Sequence, residues 1–254
     1  MILTDDQILM LHKHIGYGPI DTARILVFGN ESGTAGEPTL ELSIKNLIEK
    51  YKTRKLLNIG EGFSITEIDT PPVNSTFIQF IGRLCLAVRY QDTRFFGMLT
   101  PQGRNLLNNY IMNSVCREHS ALINLRPFPR PTERIWPYEN MLKKDYNNNY
   151  NFKRRHNQQN ELTKMRIQIL KDAFELNTKS IIIGSGDKEN KRAFFQTIYP
   201  EIEFKEVIYD ELITYITLKP KKIILTDYFD NRSGIKIAGL LKIYKLITSP
   251  FFMK

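Results

Sequence analysis

The sequence predicts an α/β fold, a three-layer αβα sandwich around a mostly parallel sheet of four to five strands. Two observations predict it. Four short apolar runs, at 24–29, 120–126, 179–184 and 221–226, have strand length and end in turn-forming residues. Between them lie segments whose apolar residues recur every three to four positions, the spacing of amphipathic helices. Strands apolar on both faces that alternate with helices imply parallel pairing with helices on each side. A chain of 254 residues with 42% hydrophobic content can build such a core. No internal repeat or linker divides it, so one domain over 1–254 is expected, with a basic insertion around 141–160.

The elements follow in order. Thr4-Asp5-Asp6-Gln7 ahead of Ile8, Leu9, Leu11 and Ile15 reads as a capped amphipathic helix ending near Gly16 and Gly18. The first strand, Ile25 to Phe28, runs into Gly29-Asn30-Glu31-Ser32-Gly33. A helix over 39–51 places Leu40, Ile44 and Leu47 on one face. Residues 56–75, which include Pro71-Pro72, read as irregular, and helices follow at 76–90 and 103–117. The second strand breaks into Pro127, Pro129 and Pro131 and leaves the sheet as a stiff loop. Residues 141–160 are rich in Lys, Asn and Arg with few apolar anchors, which suggests a mobile surface loop or a helix entry. Helices at 160–176 and 187–197 flank the third strand, Glu203 to Ile208 reads as an edge strand, and a last helix lies near 233–246.

The bulk chemistry narrows the function classes. A formal net charge of +9 suits a polyanionic partner, most simply nucleic acid. No run approaches the roughly 20 apolar residues of a membrane span. The first eleven residues carry Asp5 and Asp6 and lack the basic start of a secretory signal. Cys85 and Cys116 lack CxxC spacing, so no metal site is expected, and two thiols fit a reducing cytoplasm. Gly29, Gly33 and Gly36 do not form GxGxxG and no Gly-Lys-Ser/Thr follows, so no nucleotide cofactor is expected.

Four strands end in polar residues. The first gives Asn30, Glu31 and Ser32; the second Asn124 and Arg126; the third Gly184-Ser185-Gly186-Asp187-Lys188; the last Thr226-Asp227-Tyr228-Phe229-Asp230-Asn231-Arg232. Carboxyl ends of parallel strands share one edge, so these segments should converge. Glu31 is the first candidate for chemistry there.

Together the four segments resemble the uracil-DNA glycosylase superfamily. In that family the first strand enters a Gly-x-Asp/Asn-Pro-Tyr/Gly turn, to which Gly29-Asn30-Glu31-Ser32-Gly33 is similar, with Ser32 where proline is usual. Some branches place glutamate directly after the first glycine, which makes Asn30 the equivalent residue. The second motif, an apolar strand ending in asparagine before Arg-Pro-Pro, resembles Ala121 to Pro127. The third, a strand ending Gly-Ser with basic residues after it, is similar to Ile183-Gly184-Ser185 with Lys188, Lys191 and Arg192. The fourth usually holds His-Pro-Ser or Asn-Pro-Ser before a wedge residue, and residues 226–232 stand there without histidine or proline.

The resemblance implies a monofunctional DNA glycosylase acting on a flipped-out base. Either Glu31 or Asn30 would handle water and support the cationic sugar. Asn124 would read the base edge, and Asp227 and Tyr228 stand where the departing base is supported. Phe77 and Phe80 are candidates for the aromatic face against the base. Ser32, Ser185, Lys188, Asn231, Arg232, Arg126 and Arg130 would contact DNA, with Arg232 as the wedge. No lysine is read at a strand end for a Schiff base, so hydrolysis is expected rather than a lyase reaction. The departures point to a different or larger base, such as a hypermodified cytosine of phage DNA met in antiviral defence. DNA is the expected partner of a cytoplasmic monomer without cofactor. The alternatives are a nucleic-acid-binding protein that keeps the fold without catalysis, and an unrelated α/β enzyme using the same edge.

Overall fold

The computed structural model describes residues 1–30, 40–67, 73, 75–130, 135–154, 160–209, 212–229 and 236–250. Nine strands lie among them: β1 His14–Tyr17, β2 Ile25–Gly29, β3 Leu56–Ile59, β4 Gly62–Ile65, β5 Ser120–Asn124, β6 Ile181–Ser185, β7 Lys205–Tyr209, β8 Leu212–Thr217 and β9 Lys222–Thr226. The helices are α1 Asp5–Lys13, α2 Leu40–Thr53, α3 Thr76–Tyr90, α4 Pro101–Ser114, α5 Lys143–Asn149, α6 Glu161–Leu176, α7 Lys188–Ile198 and α8 Ile237–Thr248. The strands form one mixed sheet in the order β3-β4-β1-β5-β2-β6-β9-β8-β7.

Its centre, β5-β2-β6-β9, is parallel throughout. These are the four apolar runs, and each points side chains alternately to two apolar layers. Leu26, Phe28, Ala121, Ile123, Ile182, Ile223 and Leu225 join the cluster that also holds Ile44 and Leu47 of α2, Phe174 of α6 and Phe194 of α7. Ile25, Val27, Ile181, Ile183 and Ile224 join the cluster with Leu84 of α3, Ile111 of α4 and Ile243 of α8. Strands buried on both faces are why these runs are continuous in apolar residues.

The sheet is larger and more mixed than the four to five strands expected. β1 runs antiparallel to β5 and parallel to β4, and β8 and β7 add an antiparallel hairpin beside β9. Residues 56–65, expected to be irregular, form the antiparallel β3–β4 hairpin. Ile59 pairs with Gly62 around Gly60 and Glu61, and Gly60 takes a φ of +54°, which suits a residue without Cβ. The first helix stops at Lys13 because His14 to Tyr17 is claimed by the sheet. Glu203–Ile208 was expected at a sheet edge, and β7 does end the sheet.

The segment at 141–160, expected as a mobile surface loop or a helix entry, contains α5 and three aromatic anchors. Tyr146, Tyr150 and Phe152 are each at most 5% exposed. Buried Asn190 of α7 pins the segment by accepting from the Phe152 N–H at 2.7 Å and donating to the Tyr150 carbonyl at 2.8 Å. Among the described residues no helix is long and apolar enough to cross a membrane.

Candidate functional site at the carboxyl edge of the central strands

Parallel pairing brings the four polar strand ends to one edge. Asn124 lies opposite Gly29, and Ser185 lies opposite Thr226. From β2 the chain eventually returns at β5 on one side, while β6 takes the other side. The boundary between β2 and β6 is thus where the winding reverses, the place at which an open α/β sheet leaves a crevice. The loops are closed by backbone bonds. Arg126 N–H donates to the Asn30 carbonyl at 2.7 Å, and Gly186 N–H donates to the Thr226 carbonyl at 3.0 Å.

A lysine sits under this boundary. Lys191 of α7 is 0% exposed. Its Nζ donates to the carbonyls of Ser185, at 3.0 Å, and Gly186, at 2.5 Å, and to Oδ1 of Asn30. It also stands 5.6 Å from the centre of the Phe28 ring. A buried ammonium needs acceptors for its hydrogens, and these three oxygens supply them. An ammonium only donates, so the Asn30 carboxamide turns its oxygen toward Lys191.

Gly186 forms the floor beside Asn30. Its φ is +75°, and a Cβ there would lie 3.5 Å from Asn30 Nδ2 and 3.2 Å from the Tyr228 ring. The next residue, Asp187, is also left-handed at φ +38°, so β6 turns sharply into α7. Tyr228 is half exposed and stacks on Phe77 of α3, with ring centres 5.5 Å apart and planes 8° from parallel. The carboxamide and the aromatic pair are therefore neighbours across Gly186. Asp227 accepts from Lys188 Nζ at 3.0 Å, which ties the end of β9 to the first turn of α7.

Arg166 supports the same edge from below. It is fully buried, and its guanidinium donates to the carbonyls of His12 at 3.0 Å, His14 at 2.5 Å and Leu125 at 3.5 Å, and to that of Asn124. Burial lowers its pKa to about 10. The guanidinium fork thus fastens the end of β5 to the α1–β1 junction.

Comparison with family models, with curated proteins and with solved structures found no match.

The expected site residues separate into three groups. Asn30, Asn124, Asp227, Tyr228, Phe77, Lys188 and Arg126 come to the carboxyl edge or to elements that border it. Glu31, Ser32, Asn231 and Arg232 lie outside the described residues. Three others take different places. Ser185 is 0% exposed and its Oγ accepts from Phe229 N–H at 3.1 Å, so it holds the 227–229 loop instead of facing a phosphate. Phe80 is 1% exposed and packs near Phe229 in the core, leaving Phe77 as the aromatic at the edge. Arg130 is 3% exposed, with its guanidinium 5.8 Å from the Trp136 ring and 5.9 Å from that of Tyr146, in an aromatic cluster rather than on a DNA-facing surface.

Lys191 is a functional residue that the sequence presents only as one more basic residue after the third strand. Its helical spacing carries the signal. Lys191 precedes Phe194, Phe195 and Ile198 by three, four and seven positions, which puts it on the apolar face of α7.

The edge can present a fixed carboxamide next to an aromatic face, above a buried positive charge. That suits a planar polar group with hydrogen-bonding atoms at its rim. Among the described residues no group of three or more His, Cys, Asp or Glu is placed to hold a metal ion.

Proposed function

We propose that the protein is a monofunctional DNA glycosylase that hydrolyses the N-glycosidic bond of a flipped-out uracil-like or modified base and leaves an abasic site. The observation that carries this reading is the Asn30 carboxamide beside the Phe77–Tyr228 stack at the edge where all four motif-bearing strands end. A flipped base needs a polar rim contact and a flat apolar face, and this edge offers both. Glu31 follows Asn30 in the chain and supplies the carboxylate that water activation requires. The net charge of +9 supports a DNA partner. The missing proline after Glu31 and the missing histidine at 226–232 favour a modified base, of the kind found in viral DNA, as substrate.

The test is release of free base, followed by mass spectrometry, from duplexes carrying uracil, a mismatch or a hypermodified cytosine. The expected result is base release that Glu31→Ala reduces by about 100-fold or more while duplex binding persists. No release from any duplex sinks the reading. A nucleic-acid-binding protein without catalysis is the second reading, favoured by the engagement of Asp227 with Lys188 at a strand end that lacks histidine. It predicts tight duplex binding, no base release and no effect of Glu31→Ala.

A further inference from the structure

We propose that Lys191 is a positioning residue that fixes the Asn30 carboxamide and polarises it, so that the site serves a hydrogen-bond acceptor on its ligand, a carbonyl oxygen or a ring nitrogen that gains negative charge. The second half of this statement rests on the glycosylase reading; the first half rests on geometry alone.

Asn30 follows the last residue of β2 and is only half buried, so a carboxamide there would ordinarily rotate. Lys191 removes that freedom. Its Nζ bridges Asn30 Oδ1 to the carbonyls of Ser185 and Gly186, joining the ends of β2 and β6 across the crevice. The amide can meet an ammonium only with its oxygen, which leaves Nδ2 on the side of Gly186 and Tyr228. A charge-assisted bond to the oxygen draws electron density from the amide nitrogen and strengthens its N–H donors. The same feature argues against Lys191 as a nucleophile. An amine whose hydrogens point at three oxygens, in a residue with no exposed surface, has no lone pair to offer C1′ of a sugar.

The experiment compares the wild-type chain with Lys191→Met, Asn30→Ala and the double variant. Base release is measured under single-turnover conditions. Binding to a duplex with a tetrahydrofuran abasic analogue is followed by fluorescence anisotropy, and folding by thermal melting. Each single variant is expected to lose about 100-fold in rate with binding changed by less than about threefold, and the double variant to be no slower than the worse single one. Multiplying losses in the double variant, a wild-type rate in Lys191→Met, or a borohydride-trapped cross-link between Lys191 and DNA each overturns the proposal. Should Lys191→Met fail to fold, Asn30→Asp replaces it. This variant keeps a partner for Lys191 but has no N–H, so it must be as slow as Asn30→Ala.

If the wild-type chain releases no base, the glycosylase reading falls, and the positioning role is decided separately by the side-chain amide signals of Asn30 in a ¹⁵N NMR spectrum. In the wild-type chain the Asn30 side-chain NH2 group is expected to be rigid in ¹⁵N relaxation measurements, and Lys191→Met to make it mobile on the ps–ns timescale. Unchanged side-chain mobility overturns the role of Lys191.

Discussion

Buried ionisable groups set the pH response of this fold at the scale of single residues. His12 donates from Nδ1 to the Ile8 carbonyl at 2.8 Å, and His14 from Nε2 to the Gly16 carbonyl at 3.0 Å. Each imidazole is thereby satisfied in its neutral form. Burial lowers the pKa of His12 to about 4 and that of His14 to about 3, and the nearby Arg166 charge adds to both. Both folded values lie below the unfolded value of 6.5, so unfolding takes up protons as the pH falls. The stability these residues contribute is complete above pH 6.5 and is lost as the pH drops toward the folded values. Between pH 7 and pH 5 the unfolding free energy should fall by about 4 kcal/mol, measured by urea denaturation. His14→Gln, which can still donate to the Gly16 carbonyl, should halve that fall; a flat profile in the wild-type chain would contradict the burial of both imidazoles. Arg166 repeats the lesson of Lys191. It lies between Thr163, Ile169, Leu170 and Ala173 on the buried stripe of α6. Both cations hold backbone carbonyls at the carboxyl edge, and both stand where helical spacing calls for an apolar side chain. A cation on such a stripe is readable in a sequence. Which carbonyls it meets is not, because His12, Asn124 and Leu125 are brought to Arg166 only by the sheet.

Elements divide by how much of their burial is local. β2, β5, β6 and β9 were readable as apolar runs because both of their faces are covered, and α6 because its apolar stripe and Asn160 cap lie within one segment. β1 is short and owes its pairing to the distant β4 and β5, whereas β3 and β8 pair in hairpins with their chain neighbours β4 and β7. His14-Ile-Gly-Tyr carries little strand pattern, and Leu56 and Leu57 are only half buried. The docking of the 141–154 segment is hidden in the sequence for a different reason. Its anchors are tyrosines and one phenylalanine scattered among asparagines, and they become core against α7, Phe128 and Trp136. Asn190 is the polar half of that docking. Asn190→Ala would leave the Phe152 N–H and the Tyr150 carbonyl without it in a buried setting, at about 1–3 kcal/mol each. The expected outcome is a chain that remains folded, is less stable by about 2–4 kcal/mol in denaturant and is cut by trypsin at Lys153 and Arg154 at least about tenfold faster. An unchanged cutting rate would mean that the aromatic anchors hold the segment without Asn190.

The whole molecule combines a parallel centre that builds one polar edge with a surplus of positive charge. Nine more lysines and arginines than aspartates and glutamates give it the charge balance that the proposed DNA partner calls for. The docked 141–154 segment extends that charge beside the site helix. Lys153 and Arg154 are exposed, and the two residues just before them, Asn151 and Phe152, belong to the stretch that Asn190 of α7 holds. On the glycosylase reading these two side chains meet phosphates near the flipped nucleotide, while Lys188 stays with Asp227. If the chain neutralises about four phosphates, the logarithm of its duplex association constant should fall against the logarithm of salt with a slope of about −3.6, a loss of roughly 150-fold between 50 and 200 mM. Lys153→Ala with Arg154→Ala should make that slope shallower by about 1.8 and weaken binding equally for all duplex sequences. Because both side chains are exposed, the melting temperature should not move, and base release at saturating enzyme should stay at the wild-type rate. Fluorescence anisotropy titrations at several salt concentrations measure the slope directly. An unchanged slope in the double variant places the DNA track elsewhere on the surface, and a slope near zero in the wild-type chain removes DNA as the partner and with it the proposed activity.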